Sequence, residues 1–180
     1  MRAFVAIEVD DPLEPATTDG RPRAPSHLTL RFLGEVPEER AGPIGVALRS
    51  AVAMSPPFTL TLEGVGAFPS RNAPRVVWVG VTQGREHATE LSRKVSESLA
   101  RVGFPPEAAG FVPHVTLFRV RSPRDRHRAR LLLDGTEPPP GARTVRVAEI
   151  VLKESTLTPG GALHRALGRF PLLGAPTPEA

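Results

Sequence analysis

The hexapeptide HLTLRF at residues 27–32 returns as HVTLFR at residues 114–119, 87 positions later. Four of the six positions are identical or exchange Leu for Val. A strand points successive side chains to opposite faces. His27 and Thr29 therefore face one way, with Leu28 and Leu30 turned into a core. His114 and Thr116 repeat this, with Val115 and Leu117 behind them. A chain of 180 residues that uses one such strand twice, each time near a helix, predicts two similar lobes about an approximate two-fold axis. Two imidazoles and two hydroxyls then converge on the cleft between them.

The remaining pattern fills in those lobes. Short β-branched or alternating runs predict strands at 3–9, 27–33, 58–63, 75–82, 114–120 and 144–153. Helices are expected at 37–54, starting at Pro37, and at 85–102, where Leu91, Val95 and Leu99 fall at helical spacing before Gly103. A short Arg-rich helix runs from the Ser122-Pro123 start to Asp134-Gly135. The segment 162–170 fits helix or strand equally. The Pro-rich stretch 10–26 and residues 103–113 read as loops, and 174–180 as a loose tail. Strands and helices alternate without a regular βα repeat. The expected fold is α+β: one bilobal domain over 1–180, two antiparallel sheets with flanking helices, and the cleft between lobes.

Composition removes several chemistries. With no cysteine there is no disulfide framework, thiolate nucleophile or Cys-held cluster. No run of about 18 apolar residues exists to span a bilayer, and MRAFVAIEVDD lacks the long apolar core of a signal peptide. A cytoplasmic, membrane-free monomer is expected. There is no Walker, GxGxxG or GxSxG sequence to support a nucleotide-cofactor or serine-hydrolase reading. Net charge is +4, and of 23 basic residues only Lys94 and Lys153 are lysines. Arginine grips phosphate in a planar, bidentate fashion, although a GC-rich genome produces the same bias.

The quartet His27, Thr29, His114 and Thr116 suits general acid–base chemistry on a phosphodiester. A free imidazole titrates near pH 6.5, so one ring can be neutral while its partner is charged. The neutral ring takes a proton from the attacking oxygen, and the charged ring gives one to the leaving oxygen. The threonine hydroxyls donate to the non-bridging oxygens. No metal or other cofactor is called for. A metal site needs a third ligand, and no Asp or Glu shares these strand faces in the motifs.

The segments HLTLRFLG at 27–34 and HVTLFR at 114–119 resemble the two signatures of the 2H phosphoesterase superfamily, and within it the RNA 2′,3′-cyclic phosphodiesterases, also called 2′-5′ RNA ligases. RAFVAIEV, PRVVWVGV at 74–81 and ESTLTPGGALHRALGRFPL at 154–172 extend the likeness over nearly the whole chain. The resemblance implies hydrolysis of a terminal 2′,3′-cyclic phosphate on RNA to a 2′-phosphate, with reversible ligation that needs no ATP. It implies that His27 is the proton donor to the leaving 3′ oxygen, that His114 is the proton acceptor activating water, and that Thr29 and Thr116 bind phosphate. This chain differs from the pattern in its short 10–26 segment, in Phe118, and in His164 at a position where relatives carry an aromatic residue.

Three further residues are candidates for substrate binding. Arg119 resembles the arginine closing the second signature, but strict alternation puts it on the face opposite His114. Arg31 and Phe118 share the parity of the histidines and so could line the cleft, Phe118 by stacking on a base. The run Arg119, Arg121, Arg124, Arg126, Arg128 and Arg130 is either an electrostatic guide for RNA or a solvated helix face. Two other readings stay open: a phosphodiesterase for 2′-5′ oligonucleotides or small cyclic nucleotides, and a non-catalytic protein that binds RNA ends.

Overall fold

The computed structural model describes residues 1–9, 13, 26–108, 110–158 and 161–175. Eight strands form: β1 (Arg2–Val9), β2 (Ser26–Glu35), β3 (Phe58–Phe68), β4 (Val76–Gln83), β5 (His114–Arg119), β6 (Arg143–Val147), β7 (Glu149–Thr158) and β8 (Gly161–Pro171). Three α-helices accompany them: α1 (Ala41–Val52), α2 (Arg85–Ala100) and α3 (Pro123–Asp134). The fold is α+β, and the strand pairs are antiparallel.

Where the sequence predicts two sheets, the described residues form one, in the order β6-β3-β4-β5-β2-β1-β7-β8. The motif strands β2 and β5 lie side by side at its centre. They are in register through one pair, Leu28 opposite Val115, and both side chains are fully buried. Pairing the two strands closes edges that separate sheets would leave open.

The expected strand at 144–153 divides at Ala148. β6 runs along the outer edge beside β3, whereas β7 lies between β1 and β8. The division tracks the sequence. β6 alternates like a half-covered edge strand, whereas Ile150, Val151 and Leu152 are a continuous apolar run and are fully buried in the interior. The ambiguous segment at 162–170 is strand β8, and β3 continues five residues past the predicted Glu63.

The helices are capped as their termini direct. Residues 38–40 form a single 3-10 turn, so α1 starts at Ala41 rather than Pro37. Pro43 sits in its first turn, where a missing N–H costs nothing. At α3 the Asp125 amide donates to Ser122 Oγ at 3.1 Å, and the Ser122 amide donates to the Asp125 carboxylate at 2.9 Å. This reciprocal box fixes the start of the helix, and left-handed Gly135 ends it.

Helix α2 buries Ala88, Leu91, Val95 and Leu99 against the sheet. Each large aliphatic side chain so buried contributes about 1.5–3 kcal/mol. Ser92 Oγ donates to Leu30 O at 2.9 Å, pinning α2 onto β2, and Ser98 Oγ donates to Ala47 O at 2.7 Å, pinning it to α1. The motif strand β2 thus rests on α2, which is itself tied to α1. Most of the expected 10–26 loop lies outside the described residues, and so do residues 176–180 of the tail. No helix among the described residues is long and apolar enough to cross a membrane.

Candidate active site

Continuing the Leu28–Val115 register by one residue in each direction sets His27 opposite Thr116 and Thr29 opposite His114. The quartet is therefore a two-by-two grid on the face opposite Leu28 and Val115. The histidines occupy one diagonal, a relation that separates strand positions by about 7–8 Å.

Each motif strand carries a β-bulge one residue after its threonine. On β4, Val76, Trp78 and Gly80 share a face, and their partners on β5 are Arg119, Thr116 and His114. Val77 and Val79 face the other way, opposite Phe118 and Val115, so the register skips Leu117. On β1, Phe4, Ala6 and Glu8 lie opposite Phe32, Thr29 and His27, while Val5 and Ile7 lie opposite Arg31 and Leu28. Here the register skips Leu30. A bulge inserts one residue and reverses the facing of the positions beyond it.

The bulges redistribute the three binding candidates. Arg31 and Phe118, which alternation sends into the cleft, turn to the opposite face. Arg31 is 5 % exposed, donates to Pro105 O and pairs with Glu107 at 3.3 Å. Phe118 packs on the core, with the Arg128 guanidinium 4.7 Å above its ring. Phe32 and Arg119 come round to the histidine face instead. Phe32 is 54 % exposed and lies 6.1 Å from Phe4, and Arg119 is close enough to act electrostatically on His114.

His114 is held in a defined state. Its Nδ1 lies 2.6 Å from the Val112 carbonyl, which can only accept, so Nδ1 carries the proton and Nε2 keeps its lone pair. The Phe68 ring meets it edge-on at 4.9 Å, and Trp78 lies at 5.8 Å. Trp78 in turn lies across Gly66, where a Cβ would come within 2.2 Å of the indole. Burial, the dominant effect, lowers the His114 pKa and Arg119 adds to it, against the opposing Val112 hydrogen bond. The result is a neutral imidazole at neutral pH.

His27 is braced differently. Phe4 lies 5.0 Å from it and His164 meets it edge-on at 5.1 Å, with Phe4 and His164 also 5.1 Å apart. Burial, then Lys153, lowers the His164 pKa, so this third imidazole serves as an uncharged ring where the family resemblance leads one to expect an aromatic. Across the strand from His27 is Glu8, which holds Lys153 Nζ at 2.5 Å and Arg169 at 2.8 Å. Burial alone would raise the Glu8 pKa, but the two cations outweigh it and hold the carboxyl below its usual range.

Sequence reasoning does not single out Phe4, Glu8, Phe32, Phe68, Trp78 or Lys153. The signal for one of them is present nonetheless. A carboxylate inside the apolar run AFVAIEV needs a buried partner, and Lys153 supplies it from 145 residues away. Of the remaining histidines, His87 stacks on Phe58 at 5.4 Å and His127 is exposed on α3. Among the described residues, no three His, Asp or Glu side chains gather as metal ligands do.

This geometry has relatives. Residues 8–156 match the family model described as the 2′-5′ RNA ligase superfamily. The chain is 32% identical over 185 residues to the RNA 2′,3′-cyclic phosphodiesterase of Methanothermobacter thermautotrophicus, covering 96% of this chain and 99% of the relative. It is 40% identical over 142 residues to that of Aeropyrum pernix, 78% of each chain. Among solved structures, TT0787 of Thermus thermophilus aligns with a TM-score of 0.72 at 25% identity, over 97% of this chain and 99% of that one. Escherichia coli LigT complexed with 3′-AMP aligns with a TM-score of 0.69 at 29% identity, over 95% and 97%. With most of its length matched and its doubled His-x-Thr strands paired at the sheet centre, the chain belongs to the 2′-5′ RNA ligase superfamily.

Proposed function

We propose that this protein is an RNA 2′,3′-cyclic phosphodiesterase that opens a terminal cyclic phosphate to a 2′-phosphate. The observation that carries this is the diagonal histidine pair, with His114 Nδ1 held on the Val112 carbonyl so that Nε2 keeps its lone pair. His114 Nε2 takes a proton from water as the water oxygen bonds to phosphorus. The bond from phosphorus to the 3′ oxygen breaks, and His27 gives that oxygen its proton. Thr29 and Thr116 donate to the non-bridging oxygens as charge builds there. The products are a 2′-phosphomonoester and a free 3′-hydroxyl. With a 5′-hydroxyl in place of water, the same steps join two RNA ends by a 2′-5′ bond without ATP.

The relatives support the substrate class, since several bear the name RNA 2′,3′-cyclic phosphodiesterase and the E. coli structure holds 3′-AMP. We read residues 1–180 as one domain of two lobes, β1, β2, β7 and β8 against β3 to β6, about an approximate two-fold. The strand order and the matched bulges favour this reading. Acid and base come from one chain, which suits a monomer using protein groups alone.

Incubation with an RNA ending in a 2′,3′-cyclic phosphate tests the proposal, and the product should keep its phosphate on the 2′ oxygen. A 3′-phosphate would reverse the roles of the histidines. Cleavage confined to 2′-5′ dinucleotides would favour the oligonucleotide reading. Tight binding without turnover would leave an RNA-end binding protein.

A further inference from the structure

The arginines that continue from β5 into α3 form a surface that reaches beyond the quartet. Arg119 lies on the histidine face at the end of β5. Arg75 adjoins it, its carbonyl accepting from the Val120 amide at 2.9 Å. Arg121 comes next along the chain, then Arg124, Arg126 and Arg130 on the exposed side of α3. None of these six makes an ion pair among the described residues. The nearby carboxylates Asp125 and Asp134 act on Arg124 and Arg130 only at longer range, and their oxygens are engaged by backbone amides. Asp125 accepts from the Arg121 and Ser122 amides, Asp134 accepts from the Thr136 amide, and Glu137 faces Arg128 at 3.9 Å.

On β7 and β8, by contrast, every cation is matched. Lys153, Arg165 and Arg169 are matched by Glu8, Glu154 and Glu149. Arginines that form no ion pair at the rim keep their guanidinium donors for a ligand. Arg124 to Arg130 extend that charge along α3 for about 9 Å, beyond the phosphate of a single nucleotide.

Resting on the phosphodiesterase reading above, we propose that the single-stranded body of the RNA leaves the cleft over the His114 lobe, its phosphates following Arg119, Arg75 and Arg121 onto α3. The preferred substrate is therefore an oligonucleotide end rather than a cyclic mononucleotide. Each phosphate held contributes about 0.7 to the log–log salt slope for a single strand.

The test compares a 2′,3′-cyclic-ended RNA decamer with a 2′,3′-cyclic mononucleotide across a salt series, for the wild type and for R126A/R130A. The control is R49A/R101A, which removes the same charge from α1 and the end of α2. Expected is a lower kcat/KM for the decamer with R126A/R130A and a salt slope shallower by about 1.4 for two lost contacts, with mononucleotide turnover unchanged. Equal effects of both double variants, or none from R126A/R130A, would overturn the path. Binding of the decamer by fluorescence anisotropy, read for the same slopes, keeps the path testable if neither substrate turns over. That last result would overturn the catalytic reading alone.

Discussion

The two halves of the sheet carry the same His-x-Thr strand on opposite chemical grounds. In both, a His-x-Thr strand bulges after its threonine, and two rings brace the imidazole. The residues after the bulge are reversed, however: Arg31-Phe32 in one lobe, Phe118-Arg119 in the other. The His27 lobe thus offers the cleft an aromatic ring, and the His114 lobe a cation. Behind His27 stands an ion network of Glu8, Lys153 and Arg169, while behind His114 stand Phe68 and Trp78. A duplicated scaffold becomes an asymmetric site through what surrounds the repeated residues. Two titrating groups placed in unlike surroundings are how one cleft runs acid and base chemistry together.

The largest expected effect tests whether the lobes act as a unit. H27A and H114A should each lower kcat by roughly 10²–10⁴-fold, and the double variant should fall little further, because paired catalytic groups are strongly non-additive. Fully multiplicative losses would break the comparison.

The next tests the ion network. E8Q strands Lys153, which is 5 % exposed, and should cost about 3–5 kcal/mol in chemical unfolding. An unchanged unfolding midpoint would show that the network does not support the His27 lobe. The counterpart in the other lobe is G66A, which forces the Trp78 indole to move. Such overpacking costs about 1–3 kcal/mol and should lower kcat through His114, whereas a variant with wild-type kcat would remove Trp78 from the positioning of that ring.

The smallest concerns pH. In the proposed mechanism His114 must be neutral to act as base, so kcat/KM is expected to fall on the acid side as it protonates. Its lowered pKa puts that limb below the ordinary imidazole value of about 6.5. R119A should move the limb upward by a fraction of a pH unit, and R119K should leave it in place. Movement in the opposite direction would sever Arg119 from His114.

The doubled motif makes the quartet legible, because alternation alone puts His27 and Thr29, or His114 and Thr116, on one face. Alternation fails one residue later. Nothing in the letters of Leu30 or Leu117 announces an inserted residue, so simple parity sends Arg31 and Phe118 to the cleft and Arg119 away from it. The division of 144–153 does leave a trace in the change from an alternating to a continuous apolar pattern at Ala148. The single sheet leaves none, since one registered pair decides between one sheet and two.

That pair has a mechanical consequence. Elsewhere neighbouring strands are zipped along their length, but Leu28 and Val115 act as a lone rivet. The spacing of the two imidazoles is consequently governed by side chains on the opposite face of the sheet, with few rungs to hold it. Misplacement of about 1 Å can slow a reaction roughly 10²-fold. A trimmed methyl group at this rivet therefore reaches turnover through geometry, without touching either imidazole.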